Sequence, residues 1–155
     1  MMALSERILL LWAMAVIVPA GFFVKFWVPG PLQLWCSSYG AAVLYEIFWI
    51  LVLRLVALRL APLKCSMIVL IVTCLLEFTQ LWHPPFLEAI RNTFIGAALI
   101  GTTFDPWDFS YYVIGSVLGV LLALAIQCRS TACQTRTSTV NRGKRRRRGH
   151  YSYRP

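Results

Sequence analysis

The sequence predicts an all-α integral membrane protein with four transmembrane helices. The 155-residue chain is 59% hydrophobic and only 14% charged, whereas a soluble domain is about 45–50% apolar and about 25% charged. Four apolar stretches also approach the roughly 20 residues that a helix needs to cross a bilayer. We therefore expect one membrane domain, residues 1–128, followed by a disordered basic tail, residues 129–155.

Proline separates the predicted spans. Their expected bounds are 8–28, 40–60, 65–82 and 111–127. Pro29 and Pro31 close the first span, because proline lacks the N–H that a continuing helix needs. Pro62 divides the second span from the third, and Pro84 and Pro85 end the third. The first apolar region is too long for a cleaved signal peptide, so we expect an uncleaved anchor.

The loop before the fourth span contains a further apolar run, FIGAALIGTTF, from Phe94 to Phe104. Its eleven residues are too few to cross a bilayer. Backbone at membrane depth that does not span must be buried in protein or line a wet cavity. We therefore expect this segment to be interfacial or re-entrant.

The distribution of positive charge predicts the orientation. If Arg7, the loop between the second and third spans and the tail share one side, that side holds thirteen of the fifteen Lys and Arg residues. Only Lys25 and Arg91 then lie on the other side. Because cytoplasmic loops carry the excess of Lys and Arg, both termini are expected in the cytoplasm. The expected location is the plasma (inner) membrane of a bacterium.

Polar side chains gather near the predicted outer ends of the spans. Glu46 and Glu77 lie at matching depth, roughly 8–9 Å below the outer boundary at about 1.5 Å per residue. Because a charged group facing lipid is costly, we expect both to face the bundle. The candidate cluster consists of Glu46, Glu77, Gln80, Arg91, Asp105, Asp108 and Tyr112. A structural network and a ligand or partner site are both open interpretations of it.

Arg91 is the cation expected above this cluster, where a guanidinium could hold the Glu77 carboxylate bidentately. On the fourth span, Gly115 and Gly119 form a G-x-x-x-G pair suited to close helix packing. No nucleophile or metal-ligand set accompanies the carboxylates, so we expect no catalytic residue, metal or cofactor. The five cysteines lack zinc-ligand spacing and a plausible disulfide framework.

The segment from Glu77 to Gly119 carries the patterns E-x-x-Q-L and G-T-T-F-x-x-x-D-x-x-x-Y-x-x-G. With GAAVLYEIFW in the second span, it resembles the bacterial family of domains of unknown function numbered 2809, whose nearest members are cyanobacterial. The segment is also distantly similar to VanZ-like membrane proteins, associated with teicoplanin resistance, in which an E-x-x-Q pair precedes an Arg and an Asp. Tyr112 stands where that second pattern has an Asn. The resemblance implies the four-helix architecture and no particular reaction.

The preferred functional hypothesis is a non-enzymatic membrane protein that binds a partner or a lipid-like ligand at the polar cluster. A VanZ-like envelope or lipid-modification factor and a small transporter subunit are the alternatives. The tail has nine basic residues and no acidic one, so we expect it to fix topology and attract anionic headgroups rather than nucleic acid. A homo-oligomer or a membrane-protein partner is left open.

Overall fold

The structure, a computed structural model, describes residues 2–28, 30, 33–101 and 103–150, and the regular structure in these residues is helical. The helices are α1 (Met2–Phe26), α2 (Ala41–Val56), α3 (Pro62–Thr79), α4 (Pro85–Arg91), α5 (Phe94–Ile100) and α6 (Asp108–His150). A turn at Gln33–Trp35 and a π-helix at Cys36–Gly40 lead directly into α2. Four segments are long and apolar enough to cross a membrane, namely Leu4–Phe26, Cys36–Val56, Pro62–Thr79 and Asp108–Ala132. The predicted all-α fold with four such helices is confirmed.

Helices α2 and α6 form the centre of the bundle. They pack against each other, and each also packs against α1 and α3. The shared core contains Leu10 from α1, Ile47 and Leu51 from α2, and Ala123 and Ile126 from α6. Many large apolar side chains on the helices remain exposed, as expected for surfaces that face lipid.

Two glycines allow α2 and α6 to approach closely. A Cβ on Gly115 would lie 2.7 Å from the Cβ of Glu46, and one on Gly119 would lie 2.6 Å from Cδ1 of Ile50. Both distances are shorter than real Cβ contacts, so at Gly115 a larger side chain requires a shift of the helices, whereas at Gly119 the end of the Ile50 side chain would have to move. This contact is what presses Glu46 against α6.

The third span ends earlier than the sequence predicts, at Thr79 instead of Trp82. The backbone N–H groups of Gln80, Leu81 and Trp82 each donate to the carbonyl three residues earlier, so the helix tightens into 3₁₀ geometry before the prolines. Glu77 therefore lies two residues before the helix end. It is closer to the boundary than the sequence estimate placed it.

A buried ion pair links the first two spans at the other end of the bundle. The Arg54 Nη2 atom lies 2.6 Å from Oε1 of Glu6, with the side chains 3% and 10% exposed. Arg54 Nη1 also donates to the carbonyls of Leu58 and Leu60. The carbonyls of Leu58 and Leu60 bind Arg54 just after the second span, which ends at Val56 instead of residue 60, and α1 begins at Met2, before the predicted residue 8, so Glu6 lies within a helix.

The last helix is longer than the predicted fourth span. The described backbone continues α6 as far as His150, beyond the predicted end of the fourth span at residue 127. No proline or glycine lies between Gln127 and Gly143, and a helix that is already nucleated extends at little cost. The predicted disorder of residues 151–155 lies outside the described residues.

Candidate functional site

Glu77 is the centre of the polar cluster. Its side chain is 1% exposed, and both carboxyl oxygens accept hydrogen bonds. Oε1 accepts from the backbone N–H of Asp105 at 3.1 Å. Oε2 accepts from Nε2 of Gln80 at 2.9 Å and from the hydroxyl of Tyr112 at 3.0 Å. Four of the candidate residues thus meet at one carboxyl group.

The local backbone explains how these residues meet. Gln80 follows Glu77 by three residues in the tightened last turn of α3, which brings the two side chains to the same side. The chain then turns at Gly101, where φ is 78°, a conformation that favours glycine. A Cβ there would lie only 2.4 Å from Nε2 of Gln80. Gly101 therefore lets the chain cross over Gln80 and deliver Asp105 to Glu77.

Asp105 and Asp108 complete the cluster beside α6. Asp105 Oδ1 accepts from the backbone N–H of Trp107 at 3.0 Å, and Oδ2 accepts from the hydroxyl of Tyr39 at 3.3 Å. Asp108 is the first residue of α6, where a carboxylate is favoured by the positive end of the helix dipole. In the described part of the chain, no Lys or Arg forms an ion pair with Glu77, Asp105 or Asp108.

Arg91 forms a different set of contacts from the one that the sequence suggests. Its guanidinium donates to the carbonyls of Thr79 at 2.7 Å and Trp82 at 3.0 Å. It also donates to Oε1 of Glu88 at 2.9 Å. The expected bidentate pair with Glu77 is not formed, because the carbonyls of Thr79 and Trp82, at and just after the C-terminal end of α3, bind the cation at the negative end of the helix dipole. Arg91 therefore caps a helix.

Glu88 joins this cap at the surface. Its Oε1 lies 2.8 Å from Nδ1 of His83. Hydrogen bonds from His83 and Arg91 lower the pKa of the Glu88 carboxyl below its usual value. The His83–Glu88–Arg91 contacts thus form a charged patch outside the membrane-spanning helices, separate from Glu77.

Glu46, on α2, is buried beside the same face of α6 as Glu77, one turn of α6 further along. Its Oε1 accepts from the Ser116 hydroxyl at 2.8 Å, and its Oε2 has no hydrogen-bond partner among the described residues. Ser116 follows Tyr112 by four residues, so the two carboxyl groups are held by successive turns on one face of α6. The two carboxyl groups are therefore offset by about one helical turn along α6, and the predicted matching depth is wrong, because Tyr112 binds Glu77 while Ser116 binds Glu46.

A cavity of about 810 Å³ lies beside Glu77 and is bounded by α1, α2, α3, α5 and the start of α6. Its polar lining includes Lys25, Glu77, Gln80, Asp105, Asp108 and Tyr112. Its apolar lining includes Ile17, Phe22, Phe26, Phe48, Trp49 and Phe94. A ligand site at the polar cluster was one of the sequence predictions, but Lys25 and the wall formed by α1 were missed, because the packing of α1 against the other helices leaves no local pattern in the sequence.

The Gln80 amide leaves one acceptor without a partner. Because Glu77 Oε2 is an acceptor, the amide nitrogen must face it, which fixes the amide orientation. Gln80 is 6% exposed, it lines the cavity, and its Oε1 has no hydrogen-bond partner among the described residues. The described residues contain no group of three or more His, Cys, Asp or Glu placed to hold a metal ion.

Comparison with known proteins identifies a family. The family model described as "Protein of unknown function (DUF2809)" matches residues 32–116, which is more than half of the 155 residues. The matched part includes α2 to α5, the Glu77–Asp105 contact and the first turns of α6. No curated protein and no solved structure matches the chain. The chain belongs to the DUF2809 family of proteins of unknown function.

Proposed function

We propose that this protein binds an amphipathic, lipid-like ligand in the cavity beside Glu77, and that it acts by binding and not by catalysis. The observation that carries the proposal is a cavity in a membrane-type bundle that joins apolar walls to one group of carboxyl and amide side chains. Ligand sites are commonly apolar with a few convergent polar groups that fix orientation.

The dimensions of the cavity support this proposal. Its volume of about 810 Å³ falls within the range of about 300–1,000 Å³ that small-molecule sites occupy. Phe22 and Phe26 of α1 and Phe48 and Trp49 of α2 provide apolar wall. The volume suits a headgroup together with part of a hydrocarbon chain.

The hydrogen bonds of Glu77 support binding in preference to catalysis. Its two oxygens already accept from Asp105, Gln80 and Tyr112. These bonds take three of the roughly four acceptor positions of a carboxylate, which leaves Glu77 little room to accept a substrate proton as a general base must. In this arrangement Glu77 organises the site, while Asp108 and the free oxygen of Gln80 remain for a ligand.

The test uses a substitution on α1 that places a larger side chain in the cavity. Gly21 lines the cavity, and a Cβ built on it meets nothing within 4 Å, so Gly21→Leu should fold and occupy ligand space. Protein purified from membranes in mild detergent is examined by native mass spectrometry for retained lipid. Wild type should retain lipid and Gly21→Leu should lose it. Ala15→Leu, which places the same leucine side chain at an exposed site on α1, is the matched control. Equal lipid retention by all three proteins would refute the proposed site.

The proposed setting is a bacterial plasma membrane with both termini in the cytoplasm. The support is the concentration of Lys and Arg in the loop between the second and third spans and in the tail. In this orientation the cavity opens at the outer side and the tail contacts anionic headgroups, at about 1 kcal/mol for each basic residue near the surface. Terminal fusions to a fluorescent protein and to alkaline phosphatase test this. Phosphatase activity at either terminus would contradict the orientation.

A VanZ-like role in the cell envelope is the second candidate. The observation that favours it is the Glu77–Gln80 hydrogen bond at 2.9 Å, since an E-x-x-Q pair is the feature shared with that family. The position of Arg91 on the α3 carbonyls weakens this candidate, because it removes the expected contact with the carboxylates. Lipid and cell-wall precursor profiles of a deletion strain decide the question. Profiles identical to wild type would exclude this role.

A further inference from the structure

We infer that the cavity selects an amphiphile with a positively charged amine headgroup. This inference rests on the proposed function and specifies the ligand class of the same site. It concerns the side of the cavity formed by Glu77, Gln80, Asp105 and Asp108, which we call the acceptor wall.

The acceptor wall has unbalanced negative charge. It contains three carboxyl groups, and within the described part of the chain none of them is paired with a Lys or Arg. The nearby Arg91 is committed to the carbonyls of Thr79 and Trp82. An opposite charge brought within about 4–6 Å would favour the ionised carboxylates. A cationic headgroup supplies that charge, whereas an anionic one would be repelled.

The Gln80 amide is an independent observation that points to a hydrogen-bond donor. Its Oε1 is buried and has no partner in the described residues, and a buried acceptor without a partner is unfavourable until a donor reaches it. Gln80 lines the cavity on the same side as the carboxyl groups. A protonated amine has several N–H donors, so it can serve the amide oxygen and a carboxylate together.

The remaining lining favours an amine on a lipid over a bare metal ion. The described residues form no group of three or more His, Cys, Asp or Glu placed to hold a metal. The cavity also has extensive apolar wall, which a metal ion would leave unused. Lys25 lines the cavity from α1, and it could meet the phosphate of a zwitterionic lipid whose amine lies at the acceptor wall.

The test compares three lipids that differ in headgroup charge. Phosphatidylethanolamine, its N-acetylated derivative and phosphatidylglycerol, with identical acyl chains, are titrated into delipidated protein and bound lipid is measured by native mass spectrometry. N-acetylation removes the cation and keeps the phosphate and chains. Phosphatidylethanolamine should bind at least about tenfold more tightly than the other two, a difference of about 1.4 kcal/mol.

Substitutions in the acceptor wall test whether its carboxyl groups cause the preference for phosphatidylethanolamine. Asp108→Asn should reduce the preference for phosphatidylethanolamine about threefold or more, and Glu77→Gln tests the centre of the wall if it folds. Glu88→Gln removes a carboxyl group outside the cavity, so it should keep the full preference. Circular dichroism checks that each variant is folded.

The outcomes separate the two proposals. Equal binding of the three lipids, with Gly21→Leu still blocking them, would overturn the charge selection and leave the lipid site intact. Binding of sodium ions without any headgroup preference would also overturn it. If none of the lipids binds wild type, the proposed function itself fails.

Discussion

Removing the Arg91 side chain should destabilise the bundle without changing the charge preference of the cavity. In Arg91→Ala, the carbonyls of Thr79 and Trp82 lose the guanidinium donors at 2.7 and 3.0 Å, and Thr79 keeps only the bond from the Trp82 N–H. Hydrogen bonds that involve a charged group contribute about 1.5–3 kcal/mol each. The contact with the partly exposed Glu88 adds little, because solvent screens it. Because water can reach part of the freed carbonyls, we expect a loss of about 3 kcal/mol.

The assay is unfolding by SDS in mixed micelles, followed by circular dichroism. Arg91→Lys serves as the conservative variant, and it should recover less than half of the loss because an ammonium cannot match the fork of a guanidinium across two carbonyls. A change below about 0.5 kcal/mol in Arg91→Ala, within the range of ordinary surface substitutions, would refute the capping role.

A double-mutant cycle tests the separation of Arg91 from Glu77. The two side chains share no hydrogen-bond partner, so the effects of Arg91→Ala and Glu77→Gln should add within about 0.5 kcal/mol. A coupling energy above about 1 kcal/mol would show that Arg91 and Glu77 act as a pair, as the sequence alone suggests.

Three further perturbations have defined outcomes. Gly115→Leu should lower stability by at least about 2 kcal/mol in the SDS assay, since its Cβ would lie 2.7 Å from that of Glu46; unchanged stability would contradict the close contact. Glu6→Gln should lower the free energy of unfolding by about 3 kcal/mol, because it leaves the buried Arg54 without its counter-ion. Unchanged stability would contradict a stabilising ion pair. Because the folded-state pKa of Glu88 is lowered, its contribution is full above the usual value of 4.5 and is lost as pH falls through the folded-state pKa. The stability difference between wild type and Glu88→Gln should therefore shrink in acid. A pH-independent difference would refute the stabilising contacts of the Glu88 carboxylate with His83 and Arg91.

Much of the fold could be predicted because it depends on local properties of the chain. Apolar length identified the four helices, and the expected breaks at Pro62 and Pro85 are the first residues of α3 and α4. The helix ends could not be predicted, because they depend on distant partners. Arg54 binds Glu6, which lies 48 residues earlier in the chain, and no rule based on sequence spacing predicts such a pair.

Most members of the site were predictable, whereas Lys25 and the pairings between side chains were not. Glu77 and Gln80 are neighbours on one helix, so their proximity follows from a three-residue spacing. The contact of Glu77 with Asp105 depends on the turn at Gly101, whose φ of 78° is a property of the folded loop. Arg91 had two competing acceptors, a carboxylate and the end of a helix, and the sequence offers no way to rank them.

The Glu6–Arg54 ion pair has a mechanical consequence for the cavity. It ties α1 to α2 near the start of α1, while Gly21 and Lys25 line the cavity near the far end of α1. A tilt of α1 about this tie acts through a lever of about 22 Å between Glu6 and Gly21, at about 1.5 Å per residue. A rotation of about 10° would move Gly21 by about 4 Å, which is close to the contact distance between two apolar groups. The pivot at one end of the bundle therefore makes the width of the cavity at the other end sensitive to small rotations of α1.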